Sequence, residues 1–172
     1  MSGKDDRPLA ARLEAYLHEH IPISSAMGVT VESAALEEVR LAAPLEPNIN
    51  HRSTIFGGSA AAIAILAGWS LLHVRLGHGG RGSRIVIQRS TIEYTHPIDG
   101  DFVAVAIEPE EDAWDRFSRT LDRRGRGRID LVVEMRRNGE KLGECVGTYV
   151  ILPVDSAIEG ATELELSGQH LR

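Results

Sequence analysis

The sequence predicts an α+β fold with an antiparallel sheet, and three observations point there. The candidate elements run helix, two strands, one long apolar helix, then four strands, so strands follow one another instead of alternating with helices. Ser53 to Leu72 holds no charged residue, the pattern of a helix buried on several faces. Asn138-Gly139, set between two alternating runs, is the strongest two-residue hairpin signal in the chain.

Each element has its own signal. Asp5 and Asp6 can cap a first helix, Pro8 suits its first turn, and Leu9, Leu13, Tyr16, Leu17 and His20 recur at helical spacing until Pro22. Met27, Val29 and Val31 alternate with polar or small partners as a strand, and Val39, Leu41 and Ala43 mark its hairpin mate. The apolar helix is placed at about residues 58–76, followed by a glycine-rich link from Gly77 to Gly82. Strands are predicted over Arg84 to Thr95 and Phe102 to Ile107, joined by the turn His96 to Asp101. Trp114, Phe117 and Leu121 form a short helical stripe ended by Gly125. Arg128 to Arg137 and Leu142 to Leu152 then alternate as the last two strands.

An apolar helix requires a sheet curled around it, which is the hotdog arrangement. The expected organisation is an N-terminal helix over residues 1–24, a hotdog domain over 25–153 and a peripheral or partly disordered tail over 154–172.

Composition excludes several function classes. At 172 residues, 42% hydrophobic and 26% charged, the chain has the make-up of one globular domain. A net charge of −6 argues against a whole-protein grip on nucleic acid. The single cysteine, Cys145, can form neither an internal disulfide nor a thiolate zinc site. The first residues carry acids and lack the apolar run of a signal peptide, so a cytoplasmic location is expected. The strongly apolar Ala60 to Leu72 is too short to cross a bilayer, and no membrane association is expected.

Gly77-x-Gly79-x-x-Gly82 matches a dinucleotide fingerprint by letters only. It follows a helix and precedes a strand, the reverse of a phosphate-binding loop. Gly57-Gly58-Ser59-Ala60-Ala61 lacks the second glycine of a nucleophile elbow. The seven histidines show no ligand spacing, so neither a metal nor a cofactor is expected.

The informative run is Asn48 to Ser59. Two glycines at the mouth of a buried helix let a ligand approach the backbone closely. The free N–H groups of the first turn, backed by the helix dipole, suit the oxygen of a thioester carbonyl. Asn50 can add a side-chain donor, and Ser59 lines or caps the helix start. Arg123 to Arg128 is the one basic cluster, suited to the phosphates of coenzyme A, a phosphopantetheine arm or an acidic carrier protein.

Asn50, Phe56-Gly57-Gly58-Ser59 and Leu66-Ala67-Gly68-Trp69 together resemble the thioesterase-type hotdog domain of the YiiD C-terminal family. Ile92-Glu93-Tyr94-Thr95-His96-Pro97, Asp101, Gly125-Arg126-Gly127-Arg128 and Gly139-Glu140 extend the resemblance, which spans Leu9 to Leu152. It implies a homodimer, higher assembly left open, acting on acyl thioesters of coenzyme A or acyl carrier protein. Asn50, Gly58 and Ser59 are the expected catalytic residues; Phe56, Gly57, Arg126 and Arg128 are expected to bind substrate.

The resemblance also reaches phenylacetate-pathway hotdog thioesterases, which place a carboxylate about two turns into the central helix. Here that position is Ile65. Hydrolysis wants a base for water, whereas decarboxylation of a malonyl thioester needs only an oriented carboxylate and donors to the enolate. YiiD-type hotdogs that decarboxylate malonyl-acyl carrier protein are part of the resemblance. Three functions therefore stand: thioester hydrolysis, malonyl-acyl carrier protein decarboxylation, and non-catalytic binding of acyl thioesters.

Overall fold

A computed structural model describes residues 7–77 and 83–153 of the chain. Helix α1 (Leu9–His20) sets Leu13 and Leu17 one turn apart, and both are fully buried. Pro8 stands at its N-cap without a side-chain cap, while Asp5 and Asp6 lie outside the described residues. Pro22 does not only end this helix; it opens a second, α2 (Pro22–Ala26), because its missing N–H has no intrahelical partner at that position. Met27 therefore caps a helix and the first strand starts at Thr30, not at Met27. Met27 and Val29 are buried nonetheless, so the alternation reported core contact made by a helix end and a turn.

The remaining elements follow as β1 (Thr30–Ala34), β2 (Glu38–Ala43), the central helix α3 (Gly57–Arg75), β3 (Ser83–Tyr94), β4 (Phe102–Ile107), α4 (Glu111–Arg124), β5 (Gly127–Arg137) and β6 (Glu140–Pro153). They form one antiparallel sheet in the order β1-β2-β4-β5-β6-β3. Asn138 and Gly139 both take positive φ, 51° and 82°, as the tight β5–β6 turn demands. Gly125 takes φ 64° and ends α4.

The sheet curls around α3, which packs against β2, β4, β5, β6 and β3. Val39, Leu41, Leu131, Val133 and Ile151 meet Ile63, Ala67, Leu71 and Leu72 in one core. Each valine, leucine or isoleucine among them gains roughly 1.5–3 kcal/mol on burial. By length and composition α3 could cross a membrane, yet 61% of its apolar window is buried inside this sheet. Alanine and glycine on α3 let the strands approach. A Cβ at Gly68 would lie 2.3 Å from the Tyr149 hydroxyl. On β5, the bare Gly127 likewise admits the buried ring of Phe117 from α4.

Together these features make a hotdog fold. Among the described residues its sheet is bounded by β1 and the twelve-residue β3.

Candidate functional site

The loop between β2 and α3 is built by two asparagines. Asn48, 2% exposed, donates from Nδ2 to the carbonyls of Met27 and Pro44, each at 2.8 Å, and its own carbonyl accepts from Phe56 N at 2.7 Å. Asn50 closes the next turn. Its Oδ1 accepts from Arg52 N (2.7 Å) and Thr54 N (3.3 Å), while Nδ2 donates to Thr54 Oγ1 (2.9 Å) and the Ile55 carbonyl (3.2 Å). Both protons of the Asn50 amide are thus directed inside the loop. Donation to a bound thioester oxygen requires exchange of one of these bonds.

The loop delivers the chain to the helix mouth in a fixed direction. Ile55 N donates to the Ile98 carbonyl at 2.7 Å, Phe56 is the N-cap in extended conformation, and the first intrahelical bond runs from Ala60 N to Phe56 O. The N–H groups of Gly57, Gly58 and Ser59 consequently have no partner within the helix. No side chain caps this end, Ser59 included, and no acid stands in its first turn. The mouth is a preorganised set of donors with the positive end of the helix dipole behind it.

Phe56 folds its exposed ring over Gly58, where a Cβ would lie 2.3 Å from the ring. On the other side, the Tyr94 hydroxyl donates to the Gly57 carbonyl. Burial, and secondarily Cys145, raises the Tyr94 pKa above its ordinary value, so the phenol stays a neutral donor. Between Gly57 and β3 lies a cavity of about 330 Å³, lined among others by Thr54, Ala60, Tyr94, His96 and Ile98. Larger hollows of about 580 and 540 Å³ lie elsewhere, the first on the outer sheet face by Arg40, Glu134 and Arg136, the second by Arg75 and Trp114. Both walls include ion pairs, Arg136 with Glu134 at 2.6 Å in the first and Arg75 with Glu108 at 2.9 Å in the second.

Not every predicted site residue lies here. Asn50, Phe56, Gly57, Gly58 and Ser59 gather at the helix mouth. Arg126 and Arg128 are exposed at the start of β5, where Arg128 pairs with Val150 and Val150 with Val86. Tyr94, beside the mouth, pairs with Gly143 at the other end of β6. From Val86 to Tyr94 is eight residues of strand, about 25 Å. Within one protomer the basic cluster and the helix mouth therefore occupy opposite ends of the sheet.

Ile65 stands two turns into α3, partly buried, and its carbonyl accepts from the Tyr149 hydroxyl. Cys145 is buried, and desolvation, then the charge of Glu144, pushes its thiol up to about 11, which leaves it protonated and non-nucleophilic near neutrality. Among the described residues no three His, Cys, Asp or Glu side chains cluster as a metal site.

Sequence reasoning did not single out Asn48, Tyr94 or His96 as site residues. Asn48 opens the run that ends at Ser59, while Tyr94 and His96 stand in Tyr94-Thr95-His96-Pro97, which reads as a strand end and turn until Ile98 is seen bonded to Ile55.

The chain matches a family described as "Putative thioesterase (yiiD_Cterm)" over residues 10–153. Solved structures agree. A "putative thioesterase" from Shewanella oneidensis is 28% identical with a TM-score of 0.74, covering 84% of this chain and 98% of that one. A protein of unknown function from Chlorobaculum tepidum is also 28% identical, with TM-score 0.77 and coverage of 84% and 94%. A thioesterase from Haemophilus influenzae shares the fold at 11% identity, TM-score 0.67, covering 87% and 94%.

Proposed function

The chain belongs to the YiiD C-terminal thioesterase family, and on that premise we propose that it hydrolyses acyl thioesters of coenzyme A or acyl carrier protein at the mouth of α3. The observation that carries the proposal is the row of backbone donors at Gly57, Gly58 and Ser59, the first of which lines a cavity of about 330 Å³. The thioester oxygen sits on the Gly58 N–H, joined by Asn50 once its amide turns from the loop. Negative charge grows on that oxygen as water attacks, so donors fixed beforehand favour the transition state over the ground state. Ser59 and Gly57 border the acyl carbon, and Phe56 shields it from one side.

Two protomers complete the site in this proposal. Among the described residues strand β3 pairs on one side only, with exposed Ile87 and Tyr94 on it, and such an edge invites pairing with a second copy. Antiparallel joining about a two-fold axis sets the Val86 end of one β3 against the Tyr94 end of the other. The partner's Arg126 and Arg128 then approach the helix mouth from which their own protomer keeps them. A phosphopantetheine arm reaching out of the mouth would meet those charges with its phosphates. The proposed setting is the cytoplasm, without metal or cofactor.

Decarboxylation of a malonyl thioester is the second reading, favoured by the absence of any carboxylate from Ser53 to Leu72. One experiment separates the readings: a panel of acyl-CoA and acyl-carrier-protein thioesters, malonyl included, with free thiol and CO₂ followed independently. Thiol release is expected. CO₂ with the thioester intact would establish decarboxylation instead, and binding without either product would leave a non-catalytic acyl-thioester binder.

A further inference from the structure

Hydrolysis at this mouth needs a group to deprotonate water, and α3 offers none. The cavity beside the mouth is lined in part from another segment of the chain, Tyr94 to Ile98. Its titratable lining side chains are Tyr94 and His96. The Tyr94 hydroxyl is already donated to the Gly57 carbonyl. His96 has an exposed ring whose Nδ1 lies 3.3 Å from Thr95 Oγ1. With Nδ1–H directed to that hydroxyl, Nε2 carries the free lone pair of a neutral imidazole.

The backbone beneath the ring is fixed on both sides. The N–H groups of Thr95 and His96 both donate to the Leu142 carbonyl, at 3.0 and 3.2 Å. Two residues on, the Ile98 carbonyl accepts from Ile55 N, two residues before Gly57. His96 and Gly57, the first of the helix donors, thus line one cavity, and the Ile55–Ile98 bond ties their two segments together. Charged neighbours stay outside it: Asp99 pairs with Arg137 at 2.9 Å, Asp101 accepts from Leu45 N, and Lys141 pairs with Glu134 and Glu144. His51 and Arg52 lie on the Asn50–Thr54 turn and do not line the cavity either.

We propose that His96 is the general base of thioester hydrolysis, supplied from the β3–β4 turn in place of a carboxylate on the central helix. The proposal rests on the hydrolytic reading above. Nε2 takes a proton from water, whose oxygen bonds to the thioester carbon while the carbonyl electron pair moves onto the oxygen held by the helix donors. Collapse of that tetrahedral centre re-forms the carbonyl and breaks the C–S bond. The imidazolium returns its proton to the departing sulfur, so acid and thiol leave and His96 is restored.

The test compares wild type, His96→Gln and His96→Ala on the acyl thioester that wild type hydrolyses best, with melting temperatures recorded alongside. A roughly 10²- to 10⁴-fold fall in kcat for both variants is expected, with KM little changed. The acid limb of the wild-type pH profile should vanish in His96→Gln, and added imidazole should restore thiol release to His96→Ala. Variants that melt like wild type and hydrolyse as fast overturn the proposal. So does a loss that imidazole does not rescue while the acid limb persists. A wild type that releases no thiol from any thioester fails the hydrolytic reading itself, a result distinct from hydrolysis indifferent to His96.

Discussion

The hydroxyl of Tyr149 donates a 2.8 Å hydrogen bond to the carbonyl of Ile65, in the middle of the central helix. The bond locks β6 to α3 two turns into the helix. Tyr149 is fully buried, and desolvation, with Cys145 the next cause, raises its pKa well above the ordinary tyrosine value, so it acts as a donor throughout the working range. The ring fits because Gly68 and Gly147 lack side chains beside it. The helix midpoint is thereby a structural joint between α3 and β6.

Tyr149→Phe should lower stability by about 1–2 kcal/mol, since the Ile65 carbonyl loses a partner without a large cavity opening. Gly68→Ala should cost more, about 1–3 kcal/mol or beyond, because its Cβ would sit 2.3 Å from the Tyr149 oxygen. Thermal melts of both variants check the order. A Gly68→Ala protein as stable as wild type would contradict the contact.

Asn50 holds the loop, and in the proposed reaction it also donates to the thioester oxygen. Asn50→Asp keeps the acceptor that holds Arg52 N and Thr54 N but has no amide protons. It should fold and still lose about 10²- to 10³-fold in turnover, the usual effect of deleting one oxyanion donor. Asn50→Ala should lose turnover and about 1 kcal/mol of stability together. Full activity per folded molecule in Asn50→Asp would confine Asn50 to holding the loop.

Arg126→Ala combined with Arg128→Ala should raise KM far more than it lowers kcat, and less so as salt rises. A mixed dimer tells which protomer they serve. One subunit carries Asn50→Ala and its mate the double arginine change. If the charges act across the two-fold, one site keeps both parts, giving wild-type KM at half the maximal rate. If they act within their own protomer, KM is raised in the mixed dimer too. A protein that sediments as a stable monomer would rule out the arrangement altogether.

Cys145 predicts a limit at alkaline pH. Its folded-state pKa of about 11 lies above the unfolded value near 9, so its contribution to stability is complete below pH 9. As pH rises from 9 toward 11 the unfolded thiol ionises first and stability falls, by up to about 3 kcal/mol. Cys145→Ala should flatten that part of the stability curve in a pH series of denaturant melts. In wild type the thiol should resist alkylation at pH 8 until the protein is unfolded.

The local patterns were sufficient for most of the architecture. Ser53 to Leu72 foretold a helix wrapped by the sheet because an uncharged, small-residue run has no stable home in water. Asn138-Gly139 foretold the β5–β6 hairpin because both positions need positive φ, which those residue types tolerate. Gly57-Gly58 marked the start of the helix for a different reason, since both take helical backbone and their missing Cβ atoms let Phe56 and Tyr94 pack close. Met27 misled, since a buried residue at a helix end and one on a strand leave the same hydrophobic mark. Other features depended on the fold in three dimensions. That His96 shares a cavity with Gly57 follows from the Ile55–Ile98 bond and from Leu142 gripping the turn, contacts between residues over 40 apart in the chain. That Arg126 and Arg128 lie about 25 Å of strand from the mouth follows from the β5–β6–β3 register. Hydrogen-bond register and loop tethering are long-range pairings, and no periodicity within a single segment encodes them.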